Sequence, residues 1–125
     1  MVFFSADEIC LILGALKICM NRSSSIEALY YDFSDAASSL HEVVRLRDEQ
    51  IQLNLIKRKI CESIPAEYRG KEVFIPRYIS KEDLQMIKKA IACMFDEADR
   101  YGCRINRKRR YKINKIERMI GHDEN

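Results

Sequence analysis

Tryptophan is absent, and glycine and proline are scarce, with four and two among 125 residues. Sandwiches and barrels spend both on turns, so the composition argues against an all-β fold. Histidine occurs only at positions 41 and 122, and no two of the five cysteines form a C-x-x-C pair. A Cys/His zinc centre lacks its ligand spacing here, so neither a metal nor another cofactor is expected. Gly-rich phosphate loops, H-E-x-x-H and G-x-S-x-G are missing as well. No signature remains of nucleotide, zinc-protease or serine-hydrolase chemistry. The carboxylates Glu82, Asp83, Asp96, Glu97 and Asp99 are mixed with Lys81, Lys88, Lys89 and Arg100. That mixture is the pattern of surface i,i+4 pairing, not of a paired acid and base. The expectation is a protein that is not an enzyme.

A long apolar span is also lacking. The N-terminal run from Ile9 to Met20 has 12 residues and contains Lys17, which is too short to cross a bilayer. Asp7 and Glu8 stand where a secretory signal carries basic residues. With an odd number of cysteines, this predicts a cytoplasmic, reduced protein without a membrane role. Cys10, Cys19, Cys61, Cys93 and Cys103 then read mostly as small core hydrophobes.

What is present suits a helical domain. Apolar residues make up 47% and charged residues 33% of the chain, and a chain of this length supports one core without disulfides or metal. Ser5-Ala6-Asp7-Glu8 is a capping box, flanked by Phe4 and Ile9 as a hydrophobic staple. The first helix is expected to stop at Asn21-Arg22-Ser23. It is apolar nearly all round, which implies burial on most sides. Ser24-Ser25-Ile26-Glu27 reads as a second helix start, leading to a helix over 26–62 in which Ser34-Asp35 either caps a new helix or bends this one. Its apolar positions 26, 29, 33, 37, 40, 44, 51 and 55 form a single stripe. Leu46, Leu53 and Ile60 recur every seven residues on another face, with Ile56 near them. A helix apolar on two faces is either the centre of a bundle or half of a homodimer seam.

Pro65, Gly70 and Pro76 predict a non-helical connector over 63–80, in which Val73-Phe74-Ile75 is an extended piece without an evident partner. Ser80 opens a third helix with Leu84, Ile87, Ile91, Met94, Phe95, Ala98 and Tyr101 as its buried stripe, ended by Gly102. The last helix is expected over 106–120, ending at Gly121. Residues 4–20 and 79–95 align without gaps at an offset of 75. This reads either as a duplication or as the common pattern of two capped amphipathic helices. The expected architecture is all-α, an irregular four-helix bundle in one domain over 1–125, with halves 1–62 and 79–125 as two packed hairpins.

Charge is unevenly placed. Residues 1–50 carry four Lys/Arg against eight Asp/Glu, whereas residues 104–125 carry eight against three. On a helix at about 100° per residue, Arg104, Arg107, Lys108, Lys112, Lys115 and Arg118 share one arc opposite the isoleucines. Arg110 belongs to the same basic run, while Arg109 falls on the apolar side. This cationic face suits an anionic partner, either an acidic protein patch or a phosphate backbone. Tyr30, Tyr31 and Asp32 offer a further protein contact, as do Leu46, Leu53 and Ile60 if a second chain covers them. The functional expectation is a small intracellular binding protein, a regulator or inhibitor that occupies the surface of a larger protein or nucleoprotein complex. The alternative is a direct nucleic-acid binder that uses the basic C-terminal helix.

Overall fold

The computed structural model describes residues 3–33, 36–64, 73–74 and 79–124. In chain order these form β1 (Phe4–Ser5), α1 (Ala6–Phe33), α2 (Ala36–Glu62), β2 (Val73–Phe74), α3 (Lys81–Arg100) and α4 (Arg107–Glu124). The arrangement is the expected all-α one with four helices. Most of the expected connector, and Ser34-Asp35, lie outside the described residues.

The helices are divided differently from the sequence reading. α1 does not stop at Asn21-Arg22-Ser23 but runs on to Phe33. Serine and asparagine weaken a helix by only about 0.5 kcal/mol each, and tertiary contacts override so small a bias. The contacts are visible: Ser23 is buried. Arg22 donates to the Cys93 sulfur at 3.6 Å and lies 3.6–3.7 Å from Asp96 and Glu97 of α3. The apparent start at Ser24 is therefore ordinary helix interior. α4 likewise continues past Gly121 to Glu124. Arg104, expected on that helix, lies in the non-helical stretch 103–106.

The caps explain the boundaries that were legible. At α1 the Ser5 N–H donates to Glu8 Oε1 at 2.9 Å, and the Glu8 N–H donates to Ser5 Oγ at 3.3 Å. Ser80 and Asp83 repeat this box at α3, and Asp83 also takes Lys59 of α2 at 2.8 Å. α3 ends on Gly102, whose φ of 68° suits a residue without a Cβ. There Gly102 N–H donates to Asp99 O, and Cys103 N–H to Ala98 O, which is a Schellman closure. Asn106 caps α4 by accepting the Arg109 N–H at 2.8 Å. The partner missing for Val73-Phe74 is the chain start: Phe4 pairs with Phe74 and Ser5 with Val73, antiparallel.

α1 is the hub. It packs on α2, α3 and α4 and follows directly from β1, which accounts for its apolarity all round. The stretch Ala6–Tyr31 is long and apolar enough to cross a membrane by length and composition. The shorter span expected from the sequence rested on a helix end that the structure moves. Ile9, Ile12, Ala15, Leu16 and Cys19 of α1 lie in one core with residues of the other three helices.

Of the two apolar faces of α2, the one bearing Leu46, Leu53 and Ile60 is covered within the chain. Leu46, Leu53, Ile56 and Ile60 are buried at 0–3% exposure, whereas Leu40, Val44, Ile51 and Leu55 are 47–61% exposed. Leu53 and Ile60 therefore belong to this chain's own core, not to a seam with a second chain. α2 is also not the central helix; it is an outer layer on α1, tied to α3 by Lys59–Asp83 at 2.8 Å and Lys89–Glu49 at 3.0 Å. Tyr101, expected to be buried on α3, is exposed. Only Cys19 and Cys93 are buried, while Cys10, Cys61 and Cys103 are exposed and all five are free thiols.

Candidate interaction surfaces

The basic residues of α4 do not act as one uniform face. Lys112 donates to Asp7 Oδ2 at 2.8 Å and ties α4 to the start of α1. That hydrogen bond, with the positive charge behind it, holds the exposed Asp7 carboxyl below its ordinary range. Arg110 stacks over the Phe95 ring, 5.7 Å from its centroid. Both are thus engaged by the fold. Arg107, Lys108, Lys115 and Arg118 are exposed and make no ion pair among the described residues.

Arg104 and Arg109 point the argument elsewhere. They are among the residues that line a cleft of about 700 Å3 between α1, α3 and the 103–113 stretch. Ile18, Ile26, Leu29, Met94, Ile105 and Ile113 supply its apolar lining, and Arg22, Arg100, Arg104 and Arg109 are its cations. Arg109 falls on the apolar side of α4 as the helical wheel requires. It stays exposed because this first turn of α4 borders the open cleft. One carboxylate, Glu97, lies among the lining residues and is shared by Arg22 at 3.7 Å and Arg100 at 3.8 Å. Arg104 and Arg109 have no ion pair among the described residues. They are cations beside an apolar surface, without a counter-charge among the described residues.

Sequence reasoning found Arg104 but missed Arg22, Arg100, Arg109 and the apolar lining. These residues come from separate elements and meet only in the fold. The one sequence signal was Arg109 on the wrong side of its helical wheel.

The remaining candidates separate cleanly. Tyr31 is exposed, and its hydroxyl donates to Glu27 at 2.9 Å, which raises the phenol above its usual range. Glu27 also takes Gln50 at 2.9 Å, with Arg47 at 3.7 Å, so this flank of α1 is given to α2. Tyr30 is half-buried, and the side chain of Asp32 lies outside the described residues. Leu46, Leu53 and Ile60 are in the core. No group of three or more His, Cys, Asp or Glu able to hold a metal occurs among the described residues.

No protein-family model matches the chain, and no curated protein or solved structure matches it either.

Proposed function

We propose that this chain is a small, non-enzymatic binding protein that regulates or inhibits a larger protein or nucleoprotein complex by seating an acidic, amphipathic segment of it in the cleft. The observation that carries this reading is the apolar lining shared with arginines, of which Arg104 and Arg109 make no ion pair among the described residues. An acidic helix laid in the cleft fills the floor with its apolar side chains and meets the rim with its carboxylates. Arginine suits that role because its planar donors engage carboxylates in pairs. A cleft of this volume falls in the range of ordinary recognition sites. A nucleic-acid backbone is the weaker occupant, since phosphates match the arginines but leave the apolar floor uncovered. The outward Arg107, Lys108, Lys115 and Arg118 are where that alternative would bind. A reducing, cytoplasmic setting without a membrane role belongs to the same proposal, supported by five unpaired thiols.

Display selection tests it without knowledge of the natural partner. Random peptides of about 16 residues, roughly 24 Å long as helices, are selected on the wild type and counter-selected on Arg104→Glu/Arg109→Glu. The expected yield is acidic sequences with apolar residues at i, i+3 or i+4, weakened about tenfold or more by the reversal. Recovery of no peptide, together with salt-steep binding of duplex DNA or RNA lost in Arg107→Glu/Lys115→Glu, would give the function to nucleic acid.

A further inference from the structure

Four large apolar side chains of α2 face away from the core: Leu40, Val44, Ile51 and Leu55. At about 100° per residue they fall within an arc of roughly 60°, opposite the buried Leu46, Leu53, Ile56 and Ile60. The spacing repeats at 11 residues, Leu40 to Ile51 and Val44 to Leu55. On a helix of 3.6 residues per turn an 11-residue repeat drifts by about 20° per repeat, in the opposite sense to a heptad, so over two repeats the stripe stays on one face. The stripe is also a palindrome. Leu40 and Leu55, and Val44 and Ile51, are equidistant from the midpoint between Arg47 and Asp48.

We infer that this stripe is the interface of an antiparallel homodimer whose two-fold axis passes between Arg47 and Asp48. This goes beyond the cleft reading and uses a different surface. The cleft is lined by α1, α3 and the 103–113 stretch, without α2, so both surfaces can be occupied together. A two-fold interface must be self-complementary, and the palindrome supplies that property. Leu40 of one copy comes level with Leu55 of the other, and Val44 with Ile51. Arg47 comes level with Asp48, so the central layer carries no net charge. Charge along the chain favours the same direction. Residues 27–44 contain Glu27, Asp32, Asp35 and Glu42 and no Lys or Arg, while the far end of α2 carries Lys57-Arg58-Lys59. In the antiparallel pair, Arg58, which shares the stripe's arc, comes level with the entry of the other copy's α2, next in sequence to its Asp35. A parallel pair sets acidic end on acidic end and loses this match. α2 has 27 residues and is about 40 Å long. One helix seam of that length lies near the lower end of specific interfaces, so the dimer is expected to be concentration-dependent.

Sedimentation equilibrium of the full chain across a concentration series is the test. The expected result is a monomer–dimer equilibrium that Val44→Glu/Ile51→Glu abolishes while leaving helix content unchanged, and with it the melting temperature at protein concentrations where the wild type is monomeric, since both positions are exposed in the single chain. Arg104→Glu/Arg109→Glu is expected to stay dimeric, which separates failure of this inference from failure of the cleft reading. Cross-linking sets the direction. Leu40→Cys mixed with Leu55→Cys, in a background with Cys10, Cys61 and Cys103 replaced by serine, is expected to form a covalent dimer on mild oxidation, and neither variant alone. A wild type that stays monomeric, a dimer that survives Val44→Glu/Ile51→Glu, or self-linking of Leu40→Cys alone would overturn the inference. A monomeric wild type that binds phosphatidylserine-containing vesicles through the stripe would overturn it in favour of a membrane surface.

Discussion

Leu53 and Leu55 stand two positions apart on one helix in opposite environments, at 0% and 47% exposure. Leu53→Ala removes packed core and is expected to cost about 2–5 kcal/mol. Leu55→Ala is expected to stay within about 0.5 kcal/mol in the monomer. Urea unfolding of both variants at low protein concentration checks the pair, and equal losses would mean that the faces of α2 are assigned wrongly. The thiols divide in the same way. Burial pushes the Cys19 thiol up to about 12, with the neighbouring Cys93 sulfur adding to the shift. A raised thiol favours the neutral form in the fold. Its stabilisation is complete below the unfolded value of about 8.5 and declines as pH climbs from there toward 12. At neutral to mildly alkaline pH, iodoacetamide is expected to modify Cys10, Cys61 and Cys103 in the native protein. Cys19 and Cys93 should react only on unfolding; mass spectrometry of peptides from a timed reaction reads the difference.

At the scale of elements, what was legible depended on whether the signal was local. The boxes at Ser5–Glu8 and Ser80–Asp83 and the glycine at 102 act within a few residues, and the helix ends they mark are where the sequence placed them. The stop expected after Met20 had only weak propensity behind it, and the packing of Arg22 and Ser23 on the rest of the fold outweighed it. The two stripes of α2 were both visible in the sequence, but periodicity carries no sign: it shows that two faces are apolar without telling which one α1 covers. The cleft was illegible because its arginines come from α1, α3, the α3–α4 connection and α4. Ser25→Pro separates the two views of α1. A helix newly started at Ser24 would accept proline at its first position. In the continuous helix, proline removes an interior hydrogen bond and clashes with the preceding turn, with an expected loss of about 3 kcal/mol or more. Thermal unfolding with an unchanged midpoint would contradict the continuous α1.

For the whole molecule, α1 acts as a shared wall. α2 covers the flank at Glu27, and α3 and α4 border the cleft past Ile18, Arg22 and Leu29. A partner in the cleft and a second copy on α2, as proposed, would meet different sides of one scaffold. Most of the exposed cations on α4 contribute little to stability. Lys112, tied to Asp7, is the one whose reversal should also loosen the join between α4 and α1. The central claim is that the cleft, rather than the outward face of α4, receives the partner. Amide chemical-shift mapping tests it most directly, with an acidic peptide from the display selection titrated into labelled protein. The account predicts that the shifted resonances cluster at Ile18, Leu29, Met94, Ile105 and Arg109, and that Arg104→Glu/Arg109→Glu removes them. Shifts confined to Lys115, Arg118 and their neighbours, with the cleft residues unmoved, would contradict it.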